Sequence, residues 1–360
     1  MRVVIAAGGT GGHINPAVSI GKYILSQNKN NEVLFIGSDG ELEKRLYRDC
    51  GAEYKLFKAK GLDRKNLFRN FSILSEDYKA YRDILNEVKK FKPDIGISCG
   101  GYISFMAMEA VKKTKTPYVI TEQNAYPGLT NRLLSKNAVK YCLAFEKANE
   151  FFKYPKRGIV TGNPVRKEFC DFDKTALRKK LGFPDDKKVV LCFGGSLGAE
   201  KMNEAFIEIA NKEDDDIIFY IGTGQRYYKR FFDKIKNNKN VIIKEYIDNM
   251  PEVLCACDLA VTRAGAMTVS EICASKTPSV LVPSPNVTAD HQTKNASVIS
   301  DAGGGVMIKE SELSPQLLYK TVKKLVLDEK KLKQMEKNLE PLCITDGDRR
   351  IFEVIKGIAD

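Results

Sequence analysis

Tryptophan is absent from this 360-residue chain, and histidine occurs only at His13 and His291. Nine cysteines are scattered at 50, 99, 142, 170, 192, 255, 257, 273 and 343, with no Cys-x-x-Cys. So few histidines and such wide cysteine spacing exclude a zinc module or a disulfide framework, and predict reduced, mostly buried thiols. No apolar run approaches the roughly 18 residues that a membrane-spanning helix requires. The apolar start Val3-Val4-Ile5-Ala6-Ala7 is too short for a signal peptide and runs straight into glycines, so it reads as a first buried strand. Also missing are Gly-x-x-x-x-Gly-Lys-Ser/Thr, His-Glu-x-x-His and the protein-kinase set. Asp171-Phe172-Asp173 and Asp346-Gly347-Asp348 have the Asp-x-Asp spacing of a metal-dependent nucleotide-sugar site, but neither follows a strand. We therefore expect no obligatory metal and no cofactor.

What is present is charge of one sign in one place. The chain carries a formal +12, and residues 1–160 hold 27 Lys+Arg against 16 Asp+Glu, whereas the remainder is nearly balanced. A localised excess points to an anionic partner for the first half: phosphate, nucleic acid or a lipid surface. No helix-turn-helix, zinc finger or aromatic RNA-binding strand accompanies it, so nucleic acid is not expected.

Short β-branched runs alternate with helical patterns along the chain, which predicts parallel sheets with helices on both faces. Strands are expected at 2–7, 32–37, 94–98, 117–121 and 140–144, and again near 188–193, 217–221, 240–243, 258–262 and 279–282. Helices are expected at 16–28, 41–50, 76–91, 102–114 and 128–136, then near 199–211, 226–236, 249–256, 267–275 and 290–301, with a Lys/Glu-rich helical end at 315–358. Thr161-Gly162-Asn163-Pro164 breaks the pattern. The predicted domains are 1–160 and 161–345, with 346–360 a terminal helix packing back on the first.

Each half opens with a strand, a glycine loop and a helix, the place where open α/β sheets bind ligands. The first loop is Gly8-Gly9-Thr10-Gly11-Gly12-His13. It lacks the third glycine of a dinucleotide turn, having Ile14 there, and the second strand ends in Gly37-Ser38 without a ribose-binding acid. His13, directly behind four glycines, is placed for a general base rather than for a core. The second loop, Gly194-Gly195-Ser196-Leu197-Gly198, offers backbone donors suited to phosphate. A third cluster, Thr262 to Glu271, starts at a strand end; Glu271 lies about one turn into the following helix and can accept from vicinal sugar hydroxyls. A fourth runs from Pro283 through Asp290-His291-Gln292.

These clusters, with Cys99-Gly100-Gly101-Tyr102, Glu122-Gln123-Asn124, Gly128-Leu129-Thr130-Asn131 and Gly162-Asn163-Pro164-Val165-Arg166, resemble the GT-B nucleotide-sugar glycosyltransferases. Within them the match is close to the MurG family, the N-acetylglucosaminyltransferases that make lipid II for peptidoglycan. Leu197 stands where that family commonly has Gln, and Thr262 where Ser is common. The resemblance implies two Rossmann-like, doubly wound domains facing across a cleft. It implies UDP-N-acetylglucosamine on the second domain: Gly194, Gly195 and Ser196 facing the diphosphate, Arg166 neutralising it, the Ile247 backbone reading uracil, Ala266, Met267, Thr268, Val269 and Ser270 lining the nucleotide, Glu271 holding the ribose and Gln292 the sugar. Thr10, Gly11, Gly12 and Asn124 would close over donor and acceptor, the acceptor being lipid I. His13 is the candidate base and Glu122 the second candidate. A diacylglycerol acceptor on the same fold, or a non-catalytic relative, are the alternatives, disfavoured by the Thr161–Arg166 and Glu122–Asn124 stretches and by the intact glycine loops. A polyprenol-linked acceptor requires work at the cytoplasmic face of the bacterial membrane. Leu67, Phe68, Phe71, Ile73, Leu74, Tyr78 and Tyr81, interleaved with Arg64, Lys65, Arg69, Lys79 and Arg82, have the composition of peripheral binding to anionic lipid.

Overall fold

The computed structural model describes residues 1–59, 70–195, 198–212, 214–235 and 238–359, with the side chains of 70–74 also left undescribed. Ser196, and the greater part of the apolar and basic segment at 64–74, therefore lie outside the described residues. The chain divides into two compact units, Met1–Pro164 with Asp346–Asp360, and Val165–Thr345.

The first unit is a seven-stranded, all-parallel sheet ordered β3-β2-β1-β4-β5-β6-β7. Its strands are β1 (Arg2–Ala6), β2 (Glu32–Ser38), β3 (Glu53–Phe57), β4 (Ile95–Ser98), β5 (Tyr118–Glu122), β6 (Lys140–Leu143) and β7 (Gly158–Val160). The intervening helices are α1 (Gly11–Gln27), α2 (Glu41–Arg48), α3 (Asn70–Phe91), α4 (Tyr102–Lys113) and α5 (Leu129–Leu134). The inner strands β1, β4 and β5 are buried along nearly their whole length because both faces are covered, as parallel sheets require. Along β1, Val4 and Ala6 join the core under α3 and α4, while Val3 and Ile5 join the core under α1. On α3, Ala80, Ile84 and Val88 supply the inward stripe at helical spacing, leaving Tyr78, Lys79 and Arg82 exposed.

The second unit repeats the plan with six parallel strands ordered β10-β9-β8-β11-β12-β13. These are β8 (Lys188–Phe193), β9 (Ile217–Gly222), β10 (Val241–Lys244), β11 (Leu259–Thr262), β12 (Ser279–Leu281) and β13 (Gly305–Met307). Its helices are α6 (Lys174–Leu181), α7 (Glu200–Ala210), α8 (Tyr228–Phe232), α9 (Met250–Ala256), α10 (Ala266–Ser275), α11 (His291–Asp301), α12 (Pro315–Val326) and α13 (Glu329–Leu339). The helix expected at 226–236 is only the five-residue α8. The chain then returns to the first unit as α14 (Gly347–Ala359). There Ile351, Phe352 and Ile355 enter the core under α1, and Phe352 meets Tyr23 edge-on at 5.7 Å.

Three strands escaped the sequence pattern. β3 is only partly buried, β7 has three residues, and β13 is a half-buried Gly-Val-Met at a sheet edge. The boundary also moves from 160 to 164. Thr161 and Gly162 donate backbone N–H groups to the Leu143 carbonyl, and Asn163 donates Nδ2 to the Gln123 carbonyl at 3.1 Å, so this segment continues the first sheet. Among the described residues no helix is long and apolar enough to cross a membrane.

Candidate functional site

In the second unit the strands β8, β9 and β11 end at one edge, and their loops build two adjoining recesses. The glycine loop after β8 has to be glycine at Gly198. Its φ is +75°, and an added Cβ would lie 2.2 Å from the Thr223 carbonyl oxygen. Asn203, on α7, donates Nδ2 to that same carbonyl at 2.9 Å, fastening the loop after β9 to α7. Ile247 sits over Gly222, where any side chain would collide with it at 2.9 Å.

The first recess, of about 160 Å³, is lined by Phe193, Gly222, Tyr246, Ile247, Arg166 and Glu271 among others. Phe193 and Ile247 make it apolar on one side, and it carries two carboxylates, Glu245 and Glu271. Glu271 is mostly buried, and its Oε1 accepts from Arg166 Nη2 at 2.9 Å and Nε at 3.2 Å. Burial pushes the Glu271 carboxyl up from its ordinary range, and the adjacent guanidinium opposes that rise. Arg166 and Glu271, expected on phosphate and ribose respectively, are thus joined to each other.

The second recess, of about 570 Å³, shares Gly195 and Thr268 with the first and extends to Gln292, Ser284 and Glu310. It lies at the N-terminus of α10, whose first turn carries no acid and whose cap is Gly265. The amides there present partial positive charge to an anion. Gln292 is oriented by its neighbours: Oε1 accepts from the Ser284 amide at 2.9 Å and the Ala264 amide at 3.3 Å, so Nε2 is the group left to a ligand. The approach to Gln292 is strained. Ala289 and Asp290 have φ of +54° and +50°, a conformation costing about 1–3 kcal/mol per residue without glycine. Arg263 holds the other side of this loop, donating Nη1 to the Val282 and Pro283 carbonyls while pairing with Glu310. Glu310 was not singled out in the sequence because the strand before it, β13, carries no clear pattern. Met267, Val269 and Ser270 belong to α10, with Val269 and Ser270 buried. Thr268 lines both recesses.

The first unit brings its own loops together at the ends of β1 and β4. Cys99 donates its amide to the Ala6 carbonyl, and Gly8 donates to the Gly100 carbonyl. The Ser104 hydroxyl lies 2.7 Å from both the Ala6 and Gly100 carbonyls. The Gly9 amide donates to Glu43 Oε1 at 3.1 Å, making Glu43 a second residue that sequence reasoning missed. Thr10, Gly11 and Gly12 lead into α1, whose first turn has no acid; Thr10 is its extended N-cap.

His13 is the third residue of α1 rather than part of a loop. Its Nδ1 lies 3.1 Å from the Gly8 carbonyl and 3.5 Å from Thr10 Oγ1. A carbonyl only accepts, so in the neutral ring the proton sits on Nδ1 and the lone pair on Nε2. The ring rests on Gly100, where φ is +101° and a Cβ would come within 2.9 Å of Nε2.

Glu122 is committed differently. Oε1 accepts from the Asn124 amide and from Asn124 Nδ2; Oε2 accepts from the Gly128 amide and from Asn131 Nδ2, all between 2.9 and 3.2 Å. The carboxylate is buried and organises the 124–131 loop, Asn124 included. Tyr102, which opens α4, donates its hydroxyl to Asp77 of α3 at 2.9 Å; burial first, then Asp77, pushes that phenol up to about 12. Among the described residues no group of three or more His, Cys, Asp or Glu side chains converges as a metal site.

The family models for the glycosyltransferase family 28 N-terminal and C-terminal domains match residues 3–142 and 189–351. A UDP-N-acetylglucosamine–N-acetylmuramyl-(pentapeptide) pyrophosphoryl-undecaprenol N-acetylglucosamine transferase of Acetivibrio thermocellus is 40% identical over 362 residues, covering 99% of this chain and 98% of the relative. The same-named protein of Bacillus licheniformis is 37% identical over 361 residues, covering 99% and 98%. The crystal structure of Acinetobacter baumannii MurG superposes with a TM-score of 0.81 at 25% identity, covering 99% of both chains. A calicheamicin glycosyltransferase superposes at 0.71 and 14% identity, covering 99% of this chain and 98% of that one, which extends the likeness in fold alone. With parallel doubly wound sheets in both units, a glycine loop at the head of each, and these matches along nearly its whole length, the chain belongs to glycosyltransferase family 28, within the MurG family of N-acetylglucosamine transferases.

Proposed function

We propose that this chain moves N-acetylglucosamine from UDP-N-acetylglucosamine to the 4-hydroxyl of N-acetylmuramic acid in lipid I, giving lipid II, with His13 as the base. The observation that carries the reading is the hydrogen bond from His13 Nδ1 to the Gly8 carbonyl, which in the neutral ring puts the lone pair on Nε2 at the head of α1. The acceptor oxygen attacks the anomeric carbon of the α-linked donor from the opposite face. As the new bond forms, the bond from that carbon to the diphosphate oxygen breaks with inversion, and the hydroxyl proton passes to Nε2. The departing UDP carries the electron pair of the broken bond, and the N-terminal amides of α10 and the Gly194–Gly195 turn are placed to stabilise its charge. Ile247 and Tyr246 border the recess that suits uracil, Glu271 the ribose, and the Nε2 group of Gln292 the sugar hydroxyls. With both its oxygens occupied, Glu122 serves better as the organiser of the acceptor loop than as a base.

The basic excess of residues 1–160, and the exposed Tyr78, Lys79 and Arg82 beside the apolar segment, support peripheral binding to the anionic cytoplasmic face of the membrane. The test is UDP release with a soluble lipid I analogue. His13→Ala should lower kcat by about 10²–10⁴, the usual contribution of a general base, while UDP affinity is unchanged. Turnover within threefold of the parent would remove His13 as the base. Diacylglycerol in place of lipid I should give no release.

A further inference from the structure

We infer that Arg166 is a positioning residue for Glu271, holding that carboxylate ready for the ribose, rather than a clamp on the diphosphate. This rests on the reading that the smaller recess takes the uridine of a UDP-sugar. Three observations carry it. Nε and Nη2 of Arg166 converge on one carboxylate oxygen, Oε1, at 3.2 and 2.9 Å. Among the described residues no donor is seen on Oε2, so the pair presents one oxygen and hides the other. The guanidinium also lies over the Phe169 ring, 5.7 Å from its centroid, and Phe169 is fully buried. The arginine is thus held between a ring and a carboxylate, while the carboxylate it grips keeps only 15% of its side-chain surface exposed.

A diphosphate clamp would have to leave that carboxylate, stranding a mostly buried negative charge without its partner, an arrangement strongly disfavoured in proteins. A positioning role needs no such movement. It opposes the upward push of burial on the Glu271 carboxyl, and it fixes the rotamer from which Oε2 accepts the vicinal hydroxyls. The arginine's charge then acts on the nucleoside through Glu271.

The two roles separate on a ligand series. Uridine, UMP and UDP share the ribose and differ only in phosphate. Dissociation constants are measured for the parent chain, Arg166→Met, Glu271→Gln and the double variant, by calorimetry for UMP and UDP and by competition for uridine. Positioning predicts that Arg166→Met weakens all three ligands by one common factor of about tenfold or more, the range of a hydrogen bond to a charged group. It predicts that the double variant is no weaker than Glu271→Gln. It also predicts that uridine affinity of Arg166→Met falls away at higher pH than in the parent, because the carboxyl loses the neighbour that opposed its upward shift and protonates sooner as pH drops. Weakened UDP binding with unchanged uridine binding would overturn the proposal in favour of the clamp. Failure of the parent chain to bind any of the three would instead overturn the uridine reading itself, and this proposal with it. Should Arg166→Met not fold, Arg166→Lys carries the same comparison: it retains a charge for phosphate but not the planar two-nitrogen grip on Oε1.

Discussion

Adding one methyl group at Gly100 tests the geometry around His13 more finely than deleting the imidazole. In Gly100→Ala the new Cβ would stand 2.7 Å from His13 Cδ2 and 2.9 Å from Nε2. Ordinary carbon contacts lie at about 3.5–4.0 Å, so the ring has to move by about 1 Å and its 3.1 Å hydrogen bond to the Gly8 carbonyl is lost or lengthened. A displacement of about 1 Å at a reacting group costs on the order of 10²-fold in rate. The backbone adds its own cost, since φ at Gly100 is +101°; about 1–3 kcal/mol is typical for a residue bearing a Cβ there. A domain stable by about 5–15 kcal/mol remains folded after that loss. The assay is kcat for UDP release with a soluble lipid I analogue, beside the melting temperature and UDP affinity. We expect kcat down about 10²-fold and UDP affinity near the parent value. The double variant with His13→Ala should turn over no more slowly than His13→Ala alone, because both changes remove the same base. A folded Gly100→Ala enzyme with kcat within threefold of the parent would refute the assignment of Nε2 as proton acceptor.

Glu122→Gln should lower the melting temperature, because replacing one acceptor oxygen by an amide sets it against N–H donors at about 1–3 kcal/mol; a turnover loss matching His13→Ala at unchanged stability would make Glu122 the base instead. In thiol titration with a water-soluble aromatic disulfide at pH 8, exposed Cys170 should react first. Cys50, which burial pushes up to about 11, should follow slowly. Cys99, Cys142, Cys257 and Cys273, each fully buried and pushed up to about 12, should react only on unfolding; with Cys343 also only half-buried, four or more fast thiols in the native protein would contradict that burial. Replacing Phe68, Phe71 and Leu74 together by Ser should reduce sedimentation with anionic vesicles while sparing activity on a short-chain soluble acceptor. A folded triple variant that pellets like the parent would dismiss this segment as the membrane contact.

The doubly wound plan was legible because parallel strands buried on both faces are short apolar runs with little else to be. β1, β2 and β8 were read nearly to the residue. The misses have a common cause: β3, β7 and β13 lie at or next to sheet edges, where partial burial removes the apolar signature. Glycine loops announced the head of each unit, since close backbone approach demands glycine itself. Side-chain partnerships were not legible. Arg166 and Glu271 are 105 residues apart, and Glu43 reaches Gly9 across 34. Only the tertiary fold brings them together, and each changes the role that a motif alone suggests. Glu122 shows the same limit from the other side. An acid at a strand end suits proton transfer in the sequence, but four N–H donors around it give it a structural task.

The return of α14 to the first unit bears on how the protein is made. About 180 residues of the second unit separate Pro164 from Asp346. A ribosome adding roughly 5–20 residues per second needs on the order of 10–40 s to cover that distance. Throughout that interval the face of α1 around Tyr23 waits for Phe352. The first unit therefore emerges early but finishes last, and a nascent chain stalled inside the second unit would offer chaperones an uncovered apolar strip along α1.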